Sequence, residues 1–231
     1  MARFRNPHLL NARRGLWDFI LWRFGCYPDP IGCQSPPDGF VYPAEISSFS
    51  EKDPYALWVG HSSYLISVGG ITLLTDPVWS PYCSPIPIEA LRRRIDPAIA
   101  LSDLPAIDFV LISHNHYDHL DAKTVSALHL LHPQIHWIVP KKLSPWFFRR
   151  GIENVYELDW WESRNLFNLG ITAVPSQHFS GRTLWDKNKT GWNGYVVEVQ
   201  GKSFYFAGDT GYNKFDFKEI GDLWKGFDLS L

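Results

Sequence analysis

The run His114-Asn115-His116-Tyr117-Asp118-His119 constrains this chain more than any other feature. It places three imidazoles and a carboxylate within six residues, straight after the largely apolar stretch Phe109 to Ser113. A short apolar run of this kind reads as a buried strand. The fold must therefore end a strand in a loop crowded with ligand-type side chains. Imidazole and carboxylate suit Zn²⁺, Fe²⁺ or Mn²⁺, and their density here points to two ions rather than one. The plainer reading, four polar residues in a surface loop, requires a chance match at this spacing and in this context.

Bulk properties set the frame. At 231 residues the chain reads as one domain of ordinary to large size. A net charge of -2 carries no general polyanion-binding signature, which disfavours a nucleic-acid partner. The 11 Trp and 10 Tyr leave two uses open, lining a pocket or interface and packing the core. Cys26, Cys33 and Cys83 form no C-x-x-C pair and are odd in number. That fits a reducing, cytoplasmic setting rather than a disulfide scaffold.

Arg3, Arg5, Arg13 and Arg14 precede the stretch Leu16 to Phe24, which superficially resembles a signal peptide. Asp18 and Arg23 interrupt the apolar run and no small-residue cleavage site follows. The stretch is also too short and too charged to span a bilayer. A short helix is expected, with Trp17, Leu21 and Phe24 on one side. Either it docks on the body of the protein, or residues 13–24 rest on a membrane surface. The Pro/Gly-rich segment over 25–56 reads as an irregular arm, so residues 1–55 form a helix and arm packed on a domain spanning 56–231.

From residue 57 the pattern is rich in strands. Tyr64 to Val68 and Ile71 to Thr75 flank Gly69-Gly70, a hairpin signal, and Tyr195 to Val199 and Ser203 to Ala207 flank Gln200-Gly201. Further strands are expected over 108–113, 135–139, 155–158 and 171–174. Asp121 caps a helix over 122–131 that Pro133 stops, and a short helix over 144–150 ends at Gly151. Residues 77–105 read as a loop-rich insertion. Strands in hairpins with helices interspersed imply sheets sandwiched between helices, an α/β (α+β) arrangement.

Two ions need roughly six to eight ligands, and the first motif supplies four. His178 and Asp209 are the natural additions, since both follow apolar strands in Gly- or Ser-containing loops. Asp209 is read as a metal-bridging carboxylate, the plainer alternative being only a turn residue.

H-x-H-x-D-H, a distant His and Gly208-Asp209-Thr210-Gly211 together resemble the metallo-β-lactamase superfamily, over about residues 56–231. Trp58 to Ser63, Leu74 to Pro77, Ser113 to Asp121, Gln177-His178-Phe179 and Phe206 to Tyr212 further resemble N-acylphosphatidylethanolamine-hydrolysing phospholipases D and their bacterial relatives. The resemblance implies a four-layer αββα sandwich and two Zn²⁺. His114, His116 and His178 would hold the first ion, and Asp118 and His119 the second, with Asp209 bridging both. Asp76 would orient a ligand imidazole or the motif loop, unless it is only a turn residue before Pro77. His61 would contact the site or serve a structural hydrogen bond. A water held between two metals loses its proton near neutral pH, with Asp118 or Asp209 orienting it, so the expected chemistry is hydrolysis. Ser180 and Arg182 are candidates for substrate binding; Arg182 either grips a phosphate oxygen or is a solvated loop residue. Trp160, Trp161 and Trp185 either line an apolar entry or pack between layers.

The substrate expected is an N-acylated phospholipid or similar diester. A lactonase of the ascorbate-6-phosphate lactonase-like branch, a nuclease and a non-catalytic protein with a degenerate site are the alternatives. One departure from the family pattern stands out. A further histidine for the second metal is expected well downstream of Gly211, yet the 20 residues that follow contain none. The expectation is therefore a truncated chain, lacking the final strand, that ligand and the C-terminal helices, with an under-coordinated second site.

Overall fold

A computed structural model describes residues 3–8, 21, 54–87, 89–183 and 185–231. Apart from Leu21 and residues 54–56, the expected helix within 16–24, the membrane contact over 13–24 and the arm over 25–56 lie outside the described residues, as do Cys26 and Cys33.

The first sheet is laid down in chain order. β1 (Tyr55–Gly60), β2 (Ser63–Val68) and β3 (Ile71–Thr75) form an antiparallel meander. Gly69 and Gly70 close the β2–β3 hairpin with φ +62° and +74°, the double positive φ that a two-residue loop demands. β4 (Phe109–Leu111), β5 (His136–Pro140) and β6 (Val155–Leu158) then add in parallel. The second sheet has the order β11-β10-β9-β8-β7, from β7 (Ser163–Leu166), β8 (Leu169–Val174), β9 (Gly194–Val199), β10 (Lys202–Phe206) and β11 (Leu229–Ser230). β11 pairs in parallel with β10, and Leu231 continues the ladder through bonds to Tyr205 and Ala207.

Alternation along each strand builds the layers. Leu73, Phe109, Leu111 and Ile138 point between the sheets and meet Ile171, Tyr195, Val197 and Phe206 from the other side. Their neighbours Leu74, Val110, Ile112 and Trp137 face outward, onto Val125 and Leu128 of α1 (Ala122–Leu131) and Phe147 of α2 (Ser144–Phe148). Val174, Val196 and Tyr205 face outward from the second sheet, onto Ile220 of α3 (Lys214–Trp224). Helix, sheet, sheet, helix is the αββα sandwich the sequence implied. Burial of each such side chain contributes roughly 1.5–3 kcal/mol, so the layer between the sheets and the layer beneath α1 and α2 both stabilise the fold.

Strand direction fixes where ligand-bearing loops gather. β1 and β3 both run antiparallel to β2, and β4 runs parallel to β3, so their C-terminal ends share one edge. β8 and β10 both run antiparallel to β9, so the loops after them share an edge as well. His61, Asp76, the His114–His119 loop, His178 and Asp209 all follow one of these ends. Among the described residues no helix is long and apolar enough to cross a membrane.

Candidate metal centre

Four buried or partly buried histidines converge at that edge. His114 Nε2 lies 2.8 Å from His116 Nδ1, and His178 Nε2 lies 3.2 Å from the same atom. One hydrogen cannot bridge all three nitrogens, so a shared proton does not explain the convergence, whereas a cation accepting three lone pairs does. The imidazoles are kept neutral for that role. Burial is the largest cause, holding His114 well below the usual histidine value and His116 down to about 4, with neighbouring histidines adding to it. His178 is lowered too, again chiefly by burial.

A second group stands alongside. His61, Asp118 and His119 bring one donor atom each within 4.8 Å of one another. His61 Nε2 is 3.3 Å from His119 Nε2 and 3.3 Å from Asp118 Oδ2. Asp209 reaches both groups, with Oδ2 3.3 Å from His119 Nε2, 3.5 Å from His178 Nε2 and 4.0 Å from His114 Nε2. Burial raises both carboxyls, but hydrogen bonding and charge from His61 and His119 at Asp118, and from His119 and His178 at Asp209, outweigh it and leave both below the usual carboxylate range. Both are ionised at neutral pH.

The supports beneath these side chains are specific. Asp76 is fully buried; Oδ1 accepts the Ser113 N–H at 2.7 Å, and Oδ2 accepts the Ser113 hydroxyl and faces His119 Nδ1 at 2.7 Å. That leaves His119 Nε2 as the nitrogen turned toward Asp209. Ser113 Oγ also lies 2.9 Å from His114 Nδ1. Gly208 combines φ +58° with a close approach to Ser113, whose Cβ would lie only 2.6 Å from a Cβ added at Gly208. Glycine there lets the Asp209 loop close on the histidine motif.

The two residues expected to touch substrate have other contacts here. Arg182 Nη1 donates to the carbonyls of Leu120 at 2.6 Å and Asn115 at 3.0 Å, and its guanidinium lies over Tyr117 with 4.0 Å to the ring centroid. Asn115 answers by accepting the Gly181 N–H at 2.6 Å. Ser180 is fully buried, with its hydroxyl on the Thr190 carbonyl at 2.8 Å. These bonds clasp the 180s loop to the motif loop. Trp160 donates to the Trp192 carbonyl at 2.7 Å, whereas Trp185 is 78% exposed. Sequence reasoning assigned no role to Ser113 or Asn115; the only signal was position, Ser113 directly before the motif and Asn115 within it. Phe179 was also given none, yet its ring centroid lies 4.5 Å from that of His116 and 4.8 Å from that of His178.

Residues 72–231 match the beta-lactamase superfamily domain. The chain belongs to the metallo-β-lactamase superfamily. Within that superfamily it is 40% identical over 190 residues to N-acyl-phosphatidylethanolamine-hydrolyzing phospholipase D 1 of Caenorhabditis elegans, covering 78% of this chain and 53% of that protein. It is 33% identical over 209 residues to the mitochondrial N-acyl-phosphatidylethanolamine-hydrolyzing phospholipase D of Saccharomyces cerevisiae, covering 87% of this chain and 44% of that protein. The chain thus spans about half the length of these curated relatives. Among solved structures, the metallo hydrolase Igni18 of the archaeon Ignicoccus hospitalis superposes with a TM-score of 0.55 at 23% identity, covering 74% of this chain and 66% of that one. That likeness bears on the fold alone. As in the superfamily pattern, the His and Asp clusters sit in loops at one sheet edge and are consistent with metal binding.

Proposed function

We propose that this chain is a metal-dependent hydrolase, and within that class a phosphodiesterase of phospholipase D type acting on N-acylphosphatidylethanolamine-like lipids. The observation that carries the hydrolase reading is Asp209, whose single Oδ2 lies within 3.5 Å of a histidine from each cluster. A carboxylate so placed suits a pair of ions, here two Zn²⁺. His114, His116 and His178 would hold one ion, Asp118 and His119 the other with His61 alongside, and Asp209 both. Bound ions of this kind supply Lewis acidity and a nucleophile at neutral pH.

This chain's own residues do the rest. Asp118 is ionised and only 3.3 Å from His61, so it can orient an attacking water by accepting a hydrogen bond from it. Asp76 keeps His119 in one orientation. A groove of about 330 Å³, lined by residues including Phe179, Arg182 and Lys187, adjoins His178. It offers the Phe179 ring as an aromatic face for an acyl portion and Lys187 as a cation for a phosphate. The names of the two relatives at 40% and 33% identity support the lipid diester as substrate. Contact of residues 13–24 with the lipid surface belongs to the same proposal.

The test is incubation of the zinc-loaded chain with N-acylphosphatidylethanolamine, with phosphatidic acid followed by mass spectrometry and His116→Ala as control. Phosphatidic acid that disappears in the control supports the reading. No product from protein holding two zinc ions contradicts the lipid diester and turns attention to lactones and soluble diesters.

A further inference from the structure

Residues 3–8 lie outside the segment that matches the superfamily, yet they reach its centre. Phe4 N–H donates to the Asn188 carbonyl at 2.9 Å, and Asn188 Nδ2 returns a bond to the Phe4 carbonyl at 3.3 Å. Asn188 in turn donates its N–H to the Ser180 carbonyl at 2.8 Å. The Phe4 ring meets Trp192 edge-on at 6.2 Å, and Lys142 Nζ sits 5.0 Å from its centroid. Two residues on, Asn6 Nδ2 donates to the backbone carbonyl of His178 at 2.7 Å. The amide has one sensible orientation, since a flip would set Oδ1 against that carbonyl. At the other end His8 Nε2 lies 3.4 Å from Asp216 Oδ1, and its ring stacks on Phe215 at 4.7 Å. Asp216 stands in the first turn of α3, which opens four residues beyond the Asp209–Thr210 step.

We infer that residues 3–8 are a positioning strap for the metal centre, and that Asn6 is the positioning residue that fixes the backbone of His178. The strap runs from the loop that follows His178 to the helix that follows Asp209. It therefore spans the two loops whose side chains must meet, and it adds to the bonds already joining them, Gly211 N–H to Gln177 O at 2.9 Å and Gln177 N–H to Thr210 Oγ at 3.0 Å. A backbone carbonyl held at one residue restrains the φ and ψ that aim its side chain. The inference rests on the reading of His178 as a ligand. Its local part, restraint of the 177–181 loop, does not.

The test compares Asn6→Asp with the unaltered chain. The replacement keeps the shape and sets a carboxylate oxygen where the donor was. In metal-free protein, amide hydrogen exchange at residues 177–181 rises several-fold while the urea midpoint stays put. On titration with Co²⁺, the dissociation constant weakens by about 10-fold and the d–d absorption changes shape, as when a group orienting a ligand is lost. Unchanged exchange together with unchanged Co²⁺ binding overturns the inference. So does a loss of binding that merely tracks a lowered midpoint. An unaltered chain that takes up no Co²⁺, with the exchange difference intact, sinks the metal reading and leaves the strap standing.

Discussion

Asp76 holds His119 from behind, with Oδ2 2.7 Å from Nδ1 and both side chains fully buried. Burial pushes the Asp76 carboxyl up, and His119 opposes that shift. Burial would also lower His119, but Asp76, then Asp209 and Asp118, push it up to about 10. The two side chains hold one another inside the buried site, and that contact orients the imidazole for its other nitrogen to act.

Replacing Asp76 by Asn should be costly in two ways. The amide has one acceptor oxygen where the carboxylate used two to receive the Ser113 N–H, the Ser113 hydroxyl and His119. Removing one member of a buried pair costs roughly 3–5 kcal/mol, and losing the group that orients a ligand costs about 10–100-fold in metal affinity. Urea unfolding of metal-free protein and zinc competition titration measure the two effects separately. A variant with unaltered zinc affinity would remove Asp76 from the account.

Metal-free stability should peak near pH 6.5. His114, His116 and His178 have folded values below their ordinary one, so the unfolded chain binds protons that the folded chain refuses. Stability is then lost as pH falls from 6.5 toward 4, by up to roughly 1.4 kcal/mol per pH unit for each site. His119 works in the opposite sense. Its raised value contributes stability that is complete below 6.5 and lost as pH rises toward 10. Urea midpoints in EDTA across pH 4.5–9 check this, and a midpoint that climbs steadily in either direction contradicts it.

Gly208→Ala should loosen the centre without unfolding the sandwich. A left-handed non-glycine residue costs about 1–3 kcal/mol, and the new methyl meets Ser113 besides. The Asp209 loop must back away from the motif. The expected result is a thermal midpoint lowered by a few degrees and a larger fractional loss of zinc occupancy, read by atomic emission. A fall in midpoint with full zinc occupancy would show that the close approach matters for stability alone.

Arg182→Lys should cost about 1–2 kcal/mol, since a lysine's compact ammonium cannot reproduce the planar fork on the Leu120 and Asn115 carbonyls or its stacking on Tyr117. Activity on a substrate with no phosphate should fall as much as on a phosphodiester, because the bonds serve the loop. A loss confined to the phosphodiester would return Arg182 to the substrate-gripping role its position first suggested.

Local signals carried most of the architecture. Asp121 caps α1 through the Lys123 N–H, and the helix runs over the stretch between that cap and Pro133 that spacing alone marked out. The Gly69-Gly70 and Gln200-Gly201 hairpins were legible because positive φ has a sequence signature. Two elements escaped. β7 carries Ser163, Arg164 and Asn165, all exposed, and shows no apolar alternation. α3 buries only Asp216 and Ile220 fully, yet Phe217 and Trp224 pack on the same face and Asn213 caps it through the N–H groups of Phe215 and Asp216, so both its stripe and its cap were there to be read. At the centre the clustered motif was readable as ligands. The backing of His119 by Asp76, the clasp of Arg182 and the reach of Asn6 were not, because residues 43, 62 and 172 positions apart meet only after the sheets pack.

The most direct measurement is zinc stoichiometry by equilibrium dialysis at neutral pH, on the unaltered chain and on Asp209→Ala. A centre bridged by Asp209 predicts two zinc ions per chain, and a variant that retains at most one with weakened affinity. Two ions held equally tightly by both proteins, or none held by either, would contradict it.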